Sequence, residues 1–211
     1  MAGTRVDKRV ERGQHSRRAI LGRAMDVASV EGLESLSVRR LAAELDLSKS
    51  GVFAQFGSKE ELQLATVRAA VEVYVDKVVK PANRTPAGIG RVRALCESWL
   101  AYAREPVFPG GCFFLSVSAE FDARPGRVRD AVASARRDWQ RLYEATIEQA
   151  RGLGEVRQDT DAAQLAFELD ALARGGGQDA LLHDDSAIYE RVRVGLLARL
   201  RAVATDPGLL D

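Results

Sequence analysis

Small polar and cationic side chains are concentrated in one short stretch of the sequence, LAAELDLSKSGVFAQFGSKEEL, which covers residues 41–62. Within it, a predicted short helix from Ser48 to Phe56 would turn Lys49, Gln55 and three small residues outward. Small residues let a helix approach DNA bases closely, glutamine pairs bidentately with adenine, and lysine reaches guanine or phosphate. The stretch therefore has the chemistry of a helix that enters the major groove, although a solvated corner between two helices has a similar composition.

The residues around this stretch predict the helices that would position it. Ser37 and Ser48 precede two short predicted helices and are favoured N-cap residues. Asp46 lies in the turn between the helices, and Gly57 is expected to end the second one. Five apolar residues are spaced so that two steeply crossing helices could share one small core: Leu41, Leu45, Leu47, Val52 and Phe56.

The N-terminal region is basic, which matters because DNA is a polyanion. The whole chain has a net charge of +1, but residues 1–60 contain eleven Lys or Arg and eight Asp or Glu. The first 18 residues alone contain six basic and two acidic groups. We therefore predict a basic N-terminal arm over residues 1–16, followed by Arg17 and Arg18, that contacts phosphates. A basic tail that serves only solubility is the alternative.

Residues 17–64 closely resemble the N-terminal DNA-binding domain of the TetR (tetracycline-repressor-like) family of transcriptional regulators. The matching sequence is AILGRAMDVASVEGLESLSVRRLAAELDLSKSGVFAQFGSKEELQLA, and it runs without a gap through three helices and the start of a fourth. The resemblance implies an all-α fold, with a helix-turn-helix domain over residues 17–64 and a larger helical domain over residues 65–211. It also implies a homodimeric regulator, not an enzyme, which a small-molecule effector releases from its double-stranded DNA operator.

The resemblance assigns DNA contacts to particular positions. The third helix would be the recognition helix, and Lys59 matches the family's phosphate-binding lysine at the start of the fourth helix, where the helix dipole also attracts anions. Phe53 stands where the family usually has a tyrosine, and Gln55 stands where histidine is common. Asp46 replaces the usual glycine of the turn, and aspartate tolerates left-handed backbone geometry better than most residues. The implied DNA-contact residues are Arg17, Arg18, Ser37, Ser48, Lys49, Ser50, Gly51, Phe53, Gln55 and Lys59.

Most aromatic residues lie in the middle of the chain. The simplest interpretation is that they pack in a core, whereas a pocket lined by aromatic side chains is a common form of small-molecule site. The segment from Pro109 to Cys112 contains two glycines and could form a pocket rim. The residues predicted to line an effector pocket are Trp99, Tyr102, Phe113, Phe114, Phe121, Trp139, Tyr143 and Phe167.

Two apolar stripes near the C-terminus indicate either a dimer interface or packing within their own domain. Two such helices from each of two chains would form a four-helix bundle. The family resemblance favours a homodimer, which would place two recognition helices one DNA turn apart, roughly 34 Å. The residues predicted at the dimer interface are Leu165, Leu169, Leu172, Ile188, Val192, Leu196 and Leu200.

The rest of the chain also predicts helices. A long helix is expected from Ser58, with a capping box formed by Ser58 and Glu61, and Pro81 and Pro86 are expected to end it. The glycine triplet at residues 175–177 is expected to weaken or kink the penultimate helix. The other predicted helices cover residues 89–104, part of 112–120, 125–151, 160–174 (with a possible continuation to 182) and 186–203.

The histidines, the cysteines and the absence of common enzyme motifs limit the other functions that the sequence allows. His15 and His183 have no neighbours at metal-ligand spacing, so no metal site or cofactor is expected. No P-loop, G-x-G-x-x-G or G-x-S-x-G motif occurs. Cys96 and Cys112 fit a reducing compartment, and no signal peptide or membrane span is recognised, which predicts a cytoplasmic protein. The alternatives to a ligand-responsive DNA-binding regulator are a redox sensor that acts through Cys112 and a helical enzyme or carrier.

Overall fold

The computed structural model describes the backbone of residues 3–105 and 107–211, and the side chains of these residues except residues 3–10 and Arg12. The backbone of the predicted basic arm is helical from Gly3 onward. The basic side chains of that arm, which are Arg5, Lys8, Arg9 and Arg12, lie outside the described residues.

The regular elements of the described ranges are helical, apart from one isolated bridge between Val156 and Ala204. This confirms the predicted all-α fold. No helix in these ranges is long and apolar enough to cross a membrane. In chain order the elements are α1 (Gly3–Glu31), a 3-10 helix (Leu33–Ser35), α2 (Val38–Glu44), α3 (Lys49–Phe56), α4 (Lys59–Tyr74), a π-helical segment (Val75–Val79), α5 (Lys80–Ala82), α6 (Ile89–Arg104), α7 (Phe113–Phe121), α8 (Arg127–Gly152), α9 (Ala162–Leu182), α10 (Ala187–Val203) and a 3-10 helix (Pro207–Leu210).

The chain forms two compact units. Unit 1 comprises residues 1–71 and 108–132, and unit 2 comprises residues 72–107 and 133–211. Unit 1 therefore combines the helix-turn-helix region with a later segment of the chain that contains α7. The division into residues 1–16, 17–64 and 65–211 stays a prediction.

Serine caps explain where α2, α3 and α4 begin. The hydroxyls of Ser37, Ser48 and Ser58 each accept a hydrogen bond from the backbone N–H three residues later, at 3.1 Å in all three cases. These bonds satisfy N–H groups that have no partner inside the first turn. The turn between α2 and α3 contains Asp46 at φ 52°, and α3 ends at Gly57 with φ 74°. The predicted turn and the caps at Ser37, Ser48 and Ser58 are confirmed. The return bond from Glu61 that would complete the predicted capping box is not confirmed, because the Glu61 carboxylate pairs with Arg127 at 2.8 Å.

A small apolar core holds the short helices of unit 1 in place. Val52 and Phe56 on α3 are buried together with Leu41 on α2. Ile20 on α1 and Leu62 on α4 are completely buried as well. Because α2 and α3 are only 7 and 8 residues long, their stability comes from this shared burial more than from intrinsic helix propensity.

One prediction for unit 2 is wrong in detail, and another is confirmed in part. Pro81 does not end the helical path, because the π-helical segment Val75–Val79 precedes it and Pro81 then lies in the first turn of α5, where its missing N–H is tolerated. The glycine triplet lies inside α9, and the possible continuation of this helix to Leu182 is confirmed, whereas a weakening or kink at the triplet stays a prediction. A Cβ on Gly176 would lie 2.0 Å from Cγ2 of Val192. Gly176 therefore permits close packing of α9 on α10.

Candidate nucleic-acid interface and ligand cavity

The outward face of α3 consists of short or flexible side chains. Lys49, Ser50, Gly51 and Ala54 are exposed, whereas Val52 and Phe56 point into the core. Phe53 is 52% exposed, which is unusual for a large aromatic residue on a short helix. The sequence prediction therefore placed these residues on the solvent-facing side correctly. This face is the part of the helix-turn-helix that is free to meet a ligand.

Two of the predicted contact residues already form hydrogen bonds within the turn. The Ser48 hydroxyl accepts from the N–H of Gly51, and the Ser50 hydroxyl lies 3.4 Å from that of Ser48. Glycine at position 51 leaves room for this arrangement, because a Cβ there would lie 2.9 Å from the Ser48 oxygen. The N-terminus of α3 is therefore fixed by its own side chains.

Gln55 and Arg17 are positioned differently from the outward residues. Arg17 on α1 donates to the backbone oxygen of Gln55 at 2.9 Å, and its guanidinium lies 4.5 Å from the centre of the Phe56 ring. The Gln55 side-chain oxygen is buried, and no donor among the described residues reaches it. Arg17 thus ties α1 to the C-terminal end of α3, where a cation is favoured by the helix dipole. Arg18, in contrast, is exposed.

Lys59 stands at the exposed start of α4 and is paired within the protein. Its Nζ lies 2.5 Å from the backbone oxygen of Glu34 and 3.0 Å from Glu34 Oε2. Hydrogen bonds from Lys59 and from Gln63 lower the pKa of the Glu34 carboxyl group, so that group is ionised at neutral pH. Ser37 is also exposed, and its hydroxyl caps α2.

The ion pairs of Arg40 hold α2 against α1. Arg40 donates to both carboxylate oxygens of Glu31 at 2.6 and 2.7 Å, and to Glu44 at 2.8 Å. Glu44 also accepts from Arg23 of α1 at 2.5 Å. The hydrogen bonds from Arg23 and Arg40 lower the pKa of Glu44. None of these residues was predicted as functional, and they act here as supports for the turn.

Helix α7 supports the same region from a later part of the sequence. The carboxylate of Glu120 accepts from the backbone N–H groups of Leu33 and Glu34 at 2.7 and 2.9 Å. The Ser116 hydroxyl donates to the backbone oxygen of Ser29 at 2.7 Å. Glu120 therefore fixes the segment that carries Glu34, the partner of Lys59. Local sequence patterns do not reveal this contact, because more than 80 residues separate its two sides.

Unit 2 contains a small cavity with aromatic walls. Its free volume is about 30 Å³, which is enough for roughly one water molecule. The rings of Tyr74 and Trp139 are 4.0 Å apart at their centres, and Tyr102 meets Tyr74 edge-on at 5.7 Å. The lining residues are Tyr74, Cys96, Trp99, Trp139, Gln140, Tyr143, Ala166, Leu169, Asp170, Ala173 and Leu196.

The polar groups in this wall have different charges. Asp170 accepts at a single oxygen, Oδ2, from Arg136 and from Arg174, both at 2.8 Å. Burial raises the pKa of the Cys96 thiol to about 12, and burial likewise raises the pKa of Tyr143. Cys96 and Tyr143 are therefore neutral at physiological pH. The remaining acidic group of the wall, Asp170, is paired with these two arginines.

Only part of the predicted aromatic pocket lines this cavity. Trp99, Trp139 and Tyr143 do, and Tyr102 contacts the wall through Tyr74. Phe167 is 53% exposed on α9, so its placement in a pocket is corrected. The other three residues belong to α7 and therefore to unit 1. Phe113 and Phe114 pack in its core, and the buried Phe121 lines a separate pocket of that unit.

Most of the predicted dimer-interface residues are buried within a single chain. Their apolar surface is already covered by the helices of their own unit, so it is not available to a second copy. The corrected residues are Leu165, Leu169, Val192, Leu196 and Leu200. Leu172 is 38% exposed and Ile188 is half-buried. The large apolar side chains that α9 and α10 leave exposed are Phe167, Leu172, Leu181, Leu182 and Val194.

Two family models match the chain. One is described as bacterial regulatory proteins, tetR family, and covers residues 20–66. The other is described as tetracyclin repressor-like, C-terminal domain, and covers residues 88–196. A comparison with curated proteins gave no significant match. Between them, the two models account for both the helix-turn-helix and the helices around the cavity.

Solved structures share the fold over nearly the whole chain. A TetR transcriptional regulator from Chloroflexus aurantiacus is 23% identical with a TM-score of 0.85, covering 92% of this chain and 98% of that one. A TetR-family regulator from Streptomyces coelicolor is 26% identical with a TM-score of 0.78, covering 90% and 96%. A protein from Saccharomonospora viridis described as a transcriptional regulator, solved in complex with choline, is 24% identical with a TM-score of 0.78, covering 92% and 100%.

Proposed function

Because the chain belongs to the TetR family of transcriptional regulators, we propose that it is a homodimeric repressor that a small molecule releases from its DNA operator. The observation that carries this proposal is the outward face of α3. That face presents Lys49, Ser50 and Ala54 to solvent on a helix whose N-terminus is capped by Ser48. Such a helix can enter the major groove without rearranging.

Lys59 would supply a phosphate contact beside the groove. An exposed ion pair such as Lys59–Glu34 contributes about 0–1 kcal/mol. A phosphate can therefore replace Glu34 as the partner of the lysine with little loss of free energy. The backbone N–H groups at the start of α4 would add to the attraction for the anion. Contacts of this kind position a protein on DNA but do not read its sequence.

The roles of the two lysines can be separated by measuring DNA binding at several salt concentrations. Each variant is tested on a duplex selected by the wild-type protein from a random library and on random DNA. Lys59→Ala should weaken binding to both by a similar factor and reduce the salt slope by about two, one for each subunit of the proposed homodimer. Lys49→Ala should weaken binding to the selected duplex more than to random DNA. Lys80→Ala, a matched change in unit 2, should alter neither.

The assignment of roles would be contradicted if Lys49→Ala and Lys59→Ala caused equal losses on both DNAs. A loss with Lys80→Ala as large as that with Lys59→Ala would show only a general charge effect. All three lysines are exposed, so the three variants should fold as the wild type does. Circular dichroism melting curves check this.

We propose the aromatic cavity of unit 2 as the effector site and a small organic cation as the effector. The relative from Saccharomonospora viridis was solved with choline, which makes choline the natural first ligand to test. Here four aromatic residues line the wall, Tyr74, Trp99, Trp139 and Tyr143. The Asp170 carboxylate is already paired with Arg136 and Arg174, so the attraction for a cation rests on the aromatic rings. Aromatic faces attract quaternary ammonium groups. Since the free volume is about 30 Å³, the ligand would have to separate the closely packed rings of Tyr74 and Trp139.

Such a movement could influence DNA binding through α4. This helix begins at Lys59 and ends at Tyr74, so the same helix contains a residue proposed to contact phosphate and a residue of the cavity wall. A ligand can shift the equilibrium between two conformations only if it binds them with different affinities. We propose that the ligand binds a conformation in which the rings of Tyr74 and Trp139 are separated, and that the operator binds the conformation in which they are in contact.

Choline and its uncharged analogue 3,3-dimethylbutan-1-ol test the cation proposal directly. The two have similar shapes, so charge is the main difference between them. Choline should lower the affinity of the protein for its selected duplex, and the alcohol should have little effect. Trp139→Leu should abolish the response to choline while leaving DNA binding intact. If choline has no effect, or if both molecules act equally, the cavity is not a site for cations.

A further inference from the structure

The outward face of α3 is poorly supplied with groups that can read bases by hydrogen bonding. Phe53 and Ala54 occupy adjacent exposed positions, and Gly51 adds only backbone. Lys49 is the one long polar side chain among the exposed α3 residues from 49 to 54. A helix that relied on direct hydrogen bonds would present amides or guanidinium groups here.

The other polar side chains of α3 are directed elsewhere. The Gln55 side-chain oxygen is buried, and its backbone oxygen accepts from Arg17. The Ser48 hydroxyl caps the helix, and the Ser50 hydroxyl lies within 3.4 Å of it. Gln55 would have to leave its place beside α1 before it could pair with adenine. The exposed apolar surface of α3 therefore has the best access to the base edges.

We propose that Phe53, with Ala54 beside it, reads the 5-methyl group of a thymine in each half of the operator. This inference rests on the proposed function as a DNA-binding regulator. Thymine is the base that displays a methyl group in the major groove, and phenylalanine and alanine are among the side chains that contact it. An exposed phenyl ring in water gains free energy when it is buried against such a methyl group.

The competing role for Phe53 is a contact with the sugar–phosphate backbone. In that case the ring would pack in the same way on every sequence, and the base next to it would not matter. The two roles differ in one measurable respect. Only the methyl contact makes affinity depend on the substituent at C5 of a single pyrimidine.

Replacement of thymine by uracil removes that methyl group and leaves Watson–Crick pairing unchanged. The duplex is the one selected by the wild-type protein from a random library. Each variant duplex carries uracil at one thymine position, and that position is changed in both half-sites. At one position per half-site, uracil should weaken binding by about fourfold for each methyl group lost. The other thymines should show little effect. Binding is measured by fluorescence anisotropy at a fixed salt concentration.

Variants of Phe53 identify the side chain that senses the methyl group. Phe53→Ala should bind the thymine and uracil duplexes equally at the sensitive position. Phe53→Tyr keeps the ring and should keep the preference for thymine. Lys49→Ala should bind more weakly but retain the same ratio between the two duplexes. Because Phe53 is exposed, its substitution should not unfold the domain, and melting curves check this.

The possible results are distinguishable. If the selection yields no preferred sequence, the proposed function itself fails. If a preferred sequence is found but no thymine is sensitive to uracil, or if Phe53→Ala keeps the full sensitivity, only the methyl-reading role is overturned. If the methyl-reading role is overturned in either of these two ways, Phe53 contacts the DNA backbone or makes no contact.

Discussion

Lys59 is already oriented by the protein at the position where a phosphate is proposed to bind. Glu34 holds its ammonium group at 3.0 Å, Gln63 donates to the same carboxylate at 3.1 Å, and Glu120 fixes the backbone of Glu34. A lysine held in this way loses less side-chain entropy when it exchanges one anionic partner for another. The surrounding residues thus support the proposed contact without touching DNA themselves.

Cys96 is predicted to be chemically inert in the folded protein. Only the thiolate reacts quickly with alkylating reagents, and burial raises the pKa of this thiol to about 12. An exposed cysteine with a pKa of about 8.5 becomes increasingly reactive between pH 7 and 9. In a Cys112→Ser variant, labelling of Cys96 by iodoacetamide should therefore stay slow over this range and become fast only in denaturant. Rapid labelling of the native protein at pH 8 would contradict this placement.

The residues that could be predicted from sequence are those whose partners are close in the chain. Ser37, Ser48 and Ser58 bond to N–H groups three residues away, so the local pattern identifies them. Glu120 and Arg17 contact partners that are many residues distant, at Leu33 and Gln55. No local pattern reports such contacts. The same limit explains why the burial of the Gln55 oxygen was not foreseen.

At the level of elements, most helices follow from apolar periodicity and capping residues. Helix α6 begins at Ile89 and ends at Arg104, as predicted. The exceptions are places where tertiary packing overrides propensity. Gly176 is unfavourable for an isolated helix, yet α9 continues through it because only glycine lets Val192 approach so closely. A sequence pattern shows the cost of a glycine but not the contact that requires it.

Two neighbouring glycines of α9 should respond in opposite ways to the same substitution. Gly176→Ala should destabilise the protein by about 1–3 kcal/mol, because its Cβ would lie 2.0 Å from Val192. Gly175→Ala is the matched control, since a Cβ added there would have no neighbouring atom within 4 Å. It should raise the free energy of unfolding by up to about 1 kcal/mol. Urea denaturation of both variants measures these values, and equal effects would contradict the proposed α9–α10 packing.

At the level of the whole molecule, an apolar stripe does not reveal what covers it. The predicted stripes at Leu165 and Leu196 are real, but both residues are buried inside one chain. Periodicity indicates that a helix has an apolar face and cannot distinguish an internal neighbour from a second copy. The interface of the proposed homodimer is therefore better sought on the apolar residues that remain exposed, among them Phe167 on α9 and Val194 on α10.

A double substitution on this exposed surface tests the dimer. Phe167→Glu with Val194→Glu should produce a folded monomer, because both side chains are more than half exposed in the single chain. Charged groups buried in an apolar interface are strongly unfavourable. Leu153→Glu changes another exposed residue of unit 2 and should leave the dimer intact. Sedimentation equilibrium gives the masses, and a variant that stays dimeric would place the interface elsewhere.

The central claim is that this chain is a sequence-specific DNA-binding regulator, and the most direct test uses the wild-type protein alone. Duplexes are selected from a random library, and their affinity is compared with that of random DNA at physiological salt. Selection should converge on an inverted repeat whose halves lie about one helical turn apart. The selected duplex should bind at least roughly a thousandfold more tightly than random DNA. No enrichment, with weak and equal binding to both DNAs, would contradict the claim.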